Sequence, residues 1–190
     1  MKKILLIFSI MITMLICSGC GMSLTGKKDK TTNISDYSKY LGQDGKHNND
    51  IFPYSIPNSA EIEGFCYYYD DSFDPNYVSY LVYSCNDEDY MKETERLSKL
   101  HSSEDHLVYG ATGFNYPICA VYVDSYQGYI YALADKENNK LIYVEINFCN
   151  YFSYINYENI IDKKYLPIDF NAKSGNPTRR AFEEGKLRKK

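Results

Sequence analysis

The chain has 190 residues, is 44% hydrophobic and 16% aromatic, carries a formal net charge of −4, and contains 21 tyrosines but no tryptophan. That length supports one domain with a real core and leaves little room for a second. From Thr31 to Phe170 there are 22 acidic against 9 basic residues, and so acidic a body repels phosphate polymers and argues against a nucleic-acid partner.

The N-terminus reads as an export signal. Lys2 and Lys3 precede an apolar run, Ile4 to Ile16, broken only by Ser9 and Thr13, and small residues follow at Ser18-Gly19 before Cys20. The run is too short for the roughly 20 residues that span a bilayer as a helix, so a removable signal over 1–19 is expected. Residues 21–50 are polar and rich in Gly, Lys, Asn and Asp. They predict a flexible tether over 20–50 that reaches about 30 Å as a coil. Ile51-Phe52-Pro53 through Ile56-Pro57 then opens a single domain over 51–170 in extended form.

Gly64 to Tyr69 and Tyr77 to Cys85 are dense in aromatic and β-branched residues and predict a hairpin. Asp74-Pro75-Asn76-Tyr77 carries type I turn chemistry. Closing the hairpin there sets Cys66 opposite Cys85, which makes that pair the candidate disulfide of an exported protein, against the alternative of reduced core thiols. Asp70, Asp71, Asp74 and Asn76 crowd oxygen ligands into the same turn. A hard cation such as Ca²⁺ could use them, although the spacing fits no EF-hand and a solvated acidic turn has the same composition.

Asn86 with Asp87-Glu88-Asp89 supplies a helix cap and an acidic first turn. Tyr90, Thr94, Leu97 and His101 fall on one side, so the main helix is expected over about 87–101. His101 to Gly113 follows as a loop. In it His101, Glu104, Asp105 and His106 form a local cluster of acid/base and ligand types. No nucleophile, oxyanion or phosphate-loop motif accompanies that cluster, no Cys-x-x-Cys pair survives beyond Cys20, and no motif asks for a cofactor or a metal.

Ile118 to Asp124, Tyr129 to Asp135 and Leu141 to Phe148 predict a three-stranded meander. A two-residue Asn138-Asn139 loop would set Leu133 beside Val144 and Tyr131 beside Ile146. Cys119, Val121 and Val123 join that core side, while Tyr143, Glu145, Asn147 and Cys149 would form a polar and aromatic outer face. A short helix is expected around Tyr157 to Lys164. The tail, 171–190, holds 7 basic and 2 acidic residues without periodicity. It is expected to be a disordered tail, with anionic lipid or wall polymer as one partner it could meet. These elements amount to an α+β fold, an antiparallel sheet of about five strands with one main helix on one face.

Ser18-Gly19-Cys20 resembles the lipobox of bacterial lipoproteins, with Cys17 standing where an aliphatic residue is usual. The pattern from Ile51-Phe52-Pro53 through the aromatic hairpin to Tyr131-Ala132-Leu133 and Ile142-Tyr143-Val144 resembles small surface lipoproteins of Gram-positive bacteria. The resemblance implies a diacylglyceryl anchor on Cys20, a location on the extracytoplasmic face of the cell membrane, and no particular chemistry. Two acyl chains anchor stably where one is marginal. The function expected is a lipid-anchored binding or interaction module facing an envelope protein or glycan. The alternative is an envelope hydrolase or metal-dependent enzyme using the 101–106 loop.

Overall fold

A computed structural model of the protein describes residues 26–72, 74–102, 113–124, 128–149, 153–168, 172 and 185. Its centre is one antiparallel sheet of six strands: β1 (Lys28–Thr31), β2 (Glu61–Asp70), β3 (Asn76–Ser84), β4 (Ile118–Asp124), β5 (Gly128–Asp135) and β6 (Lys140–Asn147). The spatial order is β1-β2-β3-β6-β5-β4. The hairpin β2/β3 and the meander β4/β5/β6 meet where β3 pairs with β6, Tyr80 opposite Val144. Two short helices with both ends among the described residues accompany the sheet, α1 (Tyr37–Tyr40) and α2 (Asp87–Ser98). No helix among the described residues is long and apolar enough to cross a membrane.

Both faces of the sheet are buried, because side chains alternate along each strand and each face has its own cover. On the first face Val78, Tyr131, Ile142, Val144 and Ile146 lie under Ile155, Tyr157, Ile161 and Tyr165. On the second, Tyr67, Leu81, Tyr83, Leu141 and Tyr143 lie under Tyr37, Tyr40, Leu41 and Phe52 and under Tyr90 and Leu97 of α2. Tyr143 and Glu145, expected on an outer polar face, are therefore buried, Tyr143 fully. Cys149 also changes sides and packs in the first core, since Phe148 at φ 51 breaks the strand alternation just before it. Cys119 leaves the first core for the second, because the β4/β5 register slips between Ile118 and Ala120.

The largest correction concerns residues 26–50, read from the sequence as part of a coil. They begin with β1, which pairs with β2 in the register Lys28 to Asp70 and Thr31 to Tyr67. Asn33 then caps a 3₁₀ turn, Ile34–Asp36, its side chain accepting from the Ser35 amide. α1 follows, and Tyr37 and Tyr40 are 4% exposed and Leu41 1%. Burying such side chains stabilises by about 2 kcal/mol each, more than a polar segment gains by staying in water.

The β2/β3 loop is longer than the predicted turn. β2 continues through Asp70, which pairs with Asn76, and Cys66 stands opposite Tyr80 instead of Cys85. The β5/β6 connection is longer too. A 3₁₀ turn, Lys136–Asn138, and Asn139 in the left-handed region (φ 46) close it, so Leu133 meets Ile142 and Tyr131 meets Val144. The slip is of two residues, an even number, so the predicted core faces of those strands survive. Gly128 (φ 139) starts β5 where a Cβ would sit 1.9 Å from the Ile146 carbonyl oxygen, a place only glycine fits.

α2 is capped as the sequence suggests. The Asn86 side chain accepts a 2.8 Å bond from the Asp89 amide, and the helix ends at Ser98, three residues before the expected His101. The expected helix at 157–164 is instead two 3₁₀ turns, Tyr157–Asn159 and Lys163–Tyr165.

Candidate functional site

α2 has two working sides. Tyr90 and Leu97 enter the core, while Asp89, Lys92, Glu93 and Arg96, at helical spacing, form a neighbouring stripe that Leu100 continues just past the helix end. That stripe and residues 53–58 enclose a cleft of about 760 Å³, walled by Pro53, Tyr54, Ser55 and Asn58 and floored by Tyr83.

One polar network holds the two walls together. Arg96 binds Glu93 through two contacts, Nε to Oε2 at 2.8 Å and a terminal nitrogen to Oε1 at 2.6 Å. The same guanidinium donates to the carbonyls of Asp50 and Ile51, the latter at 2.8 Å. From beneath, the Tyr143 hydroxyl donates to Glu93 Oε1 at 2.8 Å, and the Tyr83 hydroxyl lies 3.4 Å from that of Tyr143. The Tyr37 hydroxyl donates to the Pro53 carbonyl at 2.6 Å. Bidentate guanidinium–carboxylate pairs are directional and strong, so this network fixes the cleft shape before a ligand arrives.

Burial pushes the Tyr143 and Tyr83 phenols well above their ordinary pKa, which keeps both protonated and acting as donors. Toward solvent the cleft shows the Tyr54 ring, 47% exposed, with the Arg96 guanidinium 5.5 Å from its centroid. Glu95 pairs with Lys99 at 2.7 Å, and Asp89 accepts from the Ser59 hydroxyl. Lys92 is exposed and has no ion-pair partner among the described residues. An aromatic wall, one unpaired ammonium and held carboxylates make a surface for a polar ligand with flat or anionic groups.

A second cluster lies deeper, under residues 40–47. His47 is hydrogen-bonded to the Tyr67 hydroxyl and stacks on Tyr69 and Tyr77, with centroids 5.1 and 5.0 Å away. Tyr40 stacks on Tyr67 at 4.1 Å. Glu145, 2% exposed, shares this face; Ser79 donates to it at 2.9 Å. Burial raises its carboxyl to about 7. Burial, and then the charge of Lys46, lowers the His47 pKa, so that ring is held neutral.

The residues singled out from sequence fare differently. Cys66 and Cys85 lie on opposite faces of the sheet, and Cys66, Cys85, Cys119 and Cys149 are all free thiols. The register rules out their disulfide: Cys66 stands opposite Tyr80, five residues from Cys85, about 16 Å along the strand, whereas Cα atoms of a bridged pair sit within about 7 Å. Burial pushes the Cys85 thiol up to about 11.

Asp70, Asp71, Asp74 and Asn76 do not converge on a cation. Asp70 is fully buried, with Lys28 Nζ 3.1 Å from its Oδ2 and the Ser72 amide 2.9 Å from its Oδ1. Asp71 accepts from the Lys27 amide and from the Tyr69 hydroxyl at 3.1 Å. Asp74 is exposed, and Asn76 accepts from the Ser153 hydroxyl at 2.6 Å. Among the described residues no three metal-ligating side chains gather. His101 is exposed just past α2, while Cys20, Glu104, Asp105, His106 and nearly all of 171–190 lie outside the described residues.

Sequence reasoning missed the cleft and the His47–Glu145 cluster. A signal for the cover was present: Ile34, Tyr37 and Leu41 stand at i, i+3 and i+7, a helical apolar stripe. None of the protein-family models matches this chain, and neither a curated protein nor a solved structure matches it.

Proposed function

We propose that this chain is a lipid-anchored extracytoplasmic binding module at the cell envelope, taking a glycan or a segment of an envelope protein in the cleft between α2 and residues 53–58. The observation that carries the reading is the cleft itself, about 760 Å³ with Tyr54 and Lys92 on its rim, its walls joined by Arg96, Glu93 and the Ile51 carbonyl. A rigid concavity with an exposed aromatic ring loses little entropy on binding. The anchor reading rests on Lys2-Lys3, the apolar run and Ser18-Gly19-Cys20.

Calorimetric titration of the purified chain with soluble muropeptides, the glycan–peptide fragments of cell wall, tests the binding site. Binding is expected, with Tyr54→Ala and Lys92→Ala each weakening it by about tenfold, a change of 1.4 kcal/mol. Binding left unchanged by both substitutions places the ligand elsewhere. For the anchor, Cys20→Ala is expected to release the protein into the medium, and an unchanged membrane fraction refutes acylation there.

A further inference from the structure

The first strand of the fold is also the strand nearest the anchor in sequence. β1 begins at Lys28, so only eight residue steps separate it from Cys20, at most about 29 Å even fully extended. β1 is an edge strand, with β2 on one side and no strand on the other among the described residues. The domain thus hangs by one edge on a short leash, in place of the long tether its composition suggested.

That edge differs from the rest of the surface. Residues 26–47 contain five lysines and three aspartates in a body whose other residues are strongly acidic. Lys27, Lys28, Lys30, Lys39 and Lys46 are all exposed. They flank β1 from both faces of the sheet: Lys30 lies 5.3 Å from the Tyr68 ring on one side, and Lys46 lies 4.5 Å from the Tyr69 ring on the other. Of the nearby acids, Asp70 is fully buried and ion-paired with Lys28 at 3.1 Å, Asp29 is held by Lys27 at 3.3 Å and by the Tyr40 hydroxyl, and Asp44 is exposed, which leaves Lys30, Lys39 and Lys46 without an ion-pair partner among the described residues. Beside Lys28, at 4.6 Å, stands Tyr154, 72% exposed. Lysines with exposed tyrosine are the side chains that settle at an anionic membrane interface.

We infer that the β1 edge, with Lys30, Lys39, Lys46 and Tyr154, is the membrane-facing surface of the domain and docks on anionic phospholipid headgroups. The inference rests on the lipoprotein reading for its leash and on the lysine edge for its polarity. The acidic remainder is repelled by the same headgroups, so the two fields turn the domain the same way. The cleft then lies away from the docked edge. β1 covers β2 at Tyr67 to Asp70, whereas Tyr83 on the cleft floor pairs with Ile62 near the opposite end of that hairpin, about 20 Å further along the strand.

The chain has no tryptophan, so Tyr154→Trp and Tyr54→Trp each introduce a single reporter. The full chain is reconstituted in vesicles of phosphatidylcholine with phosphatidylglycerol and doxyl-labelled lipid. Mass spectrometry of the N-terminal peptide reports acylation separately. If Cys20 is unacylated the lipoprotein reading fails, and coupling its thiol to a maleimide lipid still lets orientation be read. Expected is quenching of the tryptophan at 154 several-fold above that at 54, abolished by the combined Lys30→Glu, Lys39→Glu and Lys46→Glu change. Hydrogen exchange of the unsubstituted chain should slow across 26–31 on vesicle addition and stay unchanged across 54–58. Equal quenching at the two positions, no quenching at 154, or a concentration-dependent dimer with neither tryptophan quenched would each overturn the inference, the last in favour of β1 pairing with a second copy.

Discussion

Ser79 and Glu145 stand directly opposite each other on β3 and β6, and the Ser79 hydroxyl donates a 2.9 Å hydrogen bond to Glu145 Oε2. This is a carboxyl in the middle of a tyrosine-rich core, with Tyr67 and Tyr77 close enough to feel its charge. One hydroxyl donor does not replace the water a carboxylate loses on burial, so the folded chain favours the neutral acid.

The consequence is a pH-dependent stability of definite sign. Burial raises the Glu145 carboxyl from 4.5 to about 7, so between those values the folded state holds a proton that the unfolded state releases. Stability from this group is complete below about pH 4.5, falls as pH rises and is lost above about pH 7, a span of about 3 kcal/mol. His47, held neutral, works in the opposite direction, losing stability as pH falls below its ordinary value of 6.5. Comparing chemical unfolding of the wild type and Glu145→Gln isolates the first effect. Their difference should shift in favour of the glutamine variant by about 3 kcal/mol from pH 4.5 to pH 8, and a constant difference refutes the account.

A chain starting at Ile51 should not fold cooperatively. It lacks Tyr37, Tyr40 and Leu41 from the second core, about 6 kcal/mol of burial against a total stability of about 5–15 kcal/mol. A chain starting at Gly26 keeps them and should melt as a single transition. Equal melting midpoints by circular dichroism would show that residues 26–50 contribute nothing.

All four domain cysteines should be alkylated after denaturation without reductant, and dithiothreitol should leave the melting midpoint unchanged. Cys85 and Cys119 share the second face but sit on or just beyond β3 and on β4, three strand spacings apart, about 14 Å. A thiol count below four would contradict this.

Arg96→Lys should cost about 2 kcal/mol, because an ammonium cannot hold the Glu93 carboxylate in bidentate fashion and also reach the Asp50 and Ile51 carbonyls. Thermal unfolding measures the loss. If the cleft binds as proposed, muropeptide affinity should fall further than stability alone predicts, since the wall at 53–58 loosens. A variant as stable as wild type would show that the guanidinium network is incidental.

Much of the fold is legible in the residues themselves. Asn86 followed by three acids marks the α2 start, and the alternation in Ile118 to Asp124 and Tyr129 to Asp135 assigns Val121, Tyr131 and Leu133 to one core even though the β5/β6 loop is two residues longer than the pattern predicts. These are local patterns, and an even slip of register leaves faces unchanged. β1, with the sequence Lys-Asp-Lys-Thr, has no such pattern, because an edge strand needs only a neighbour with free backbone groups.

The sequence by itself determined β2 to β6, the capped helix, the acidic balance and the export-signal pattern, since period, capping chemistry and charge are properties of neighbouring residues. Only the tertiary structure decided that β3 pairs with β6, that residues 26–50 cover the face carrying Tyr143 and Glu145, and that Cys66 and Cys85 stand apart. Those outcomes depend on which distant surfaces meet. A tyrosine is equally at home on a wet face or in a core until a partner such as Tyr40 or Phe52 arrives to exclude the water.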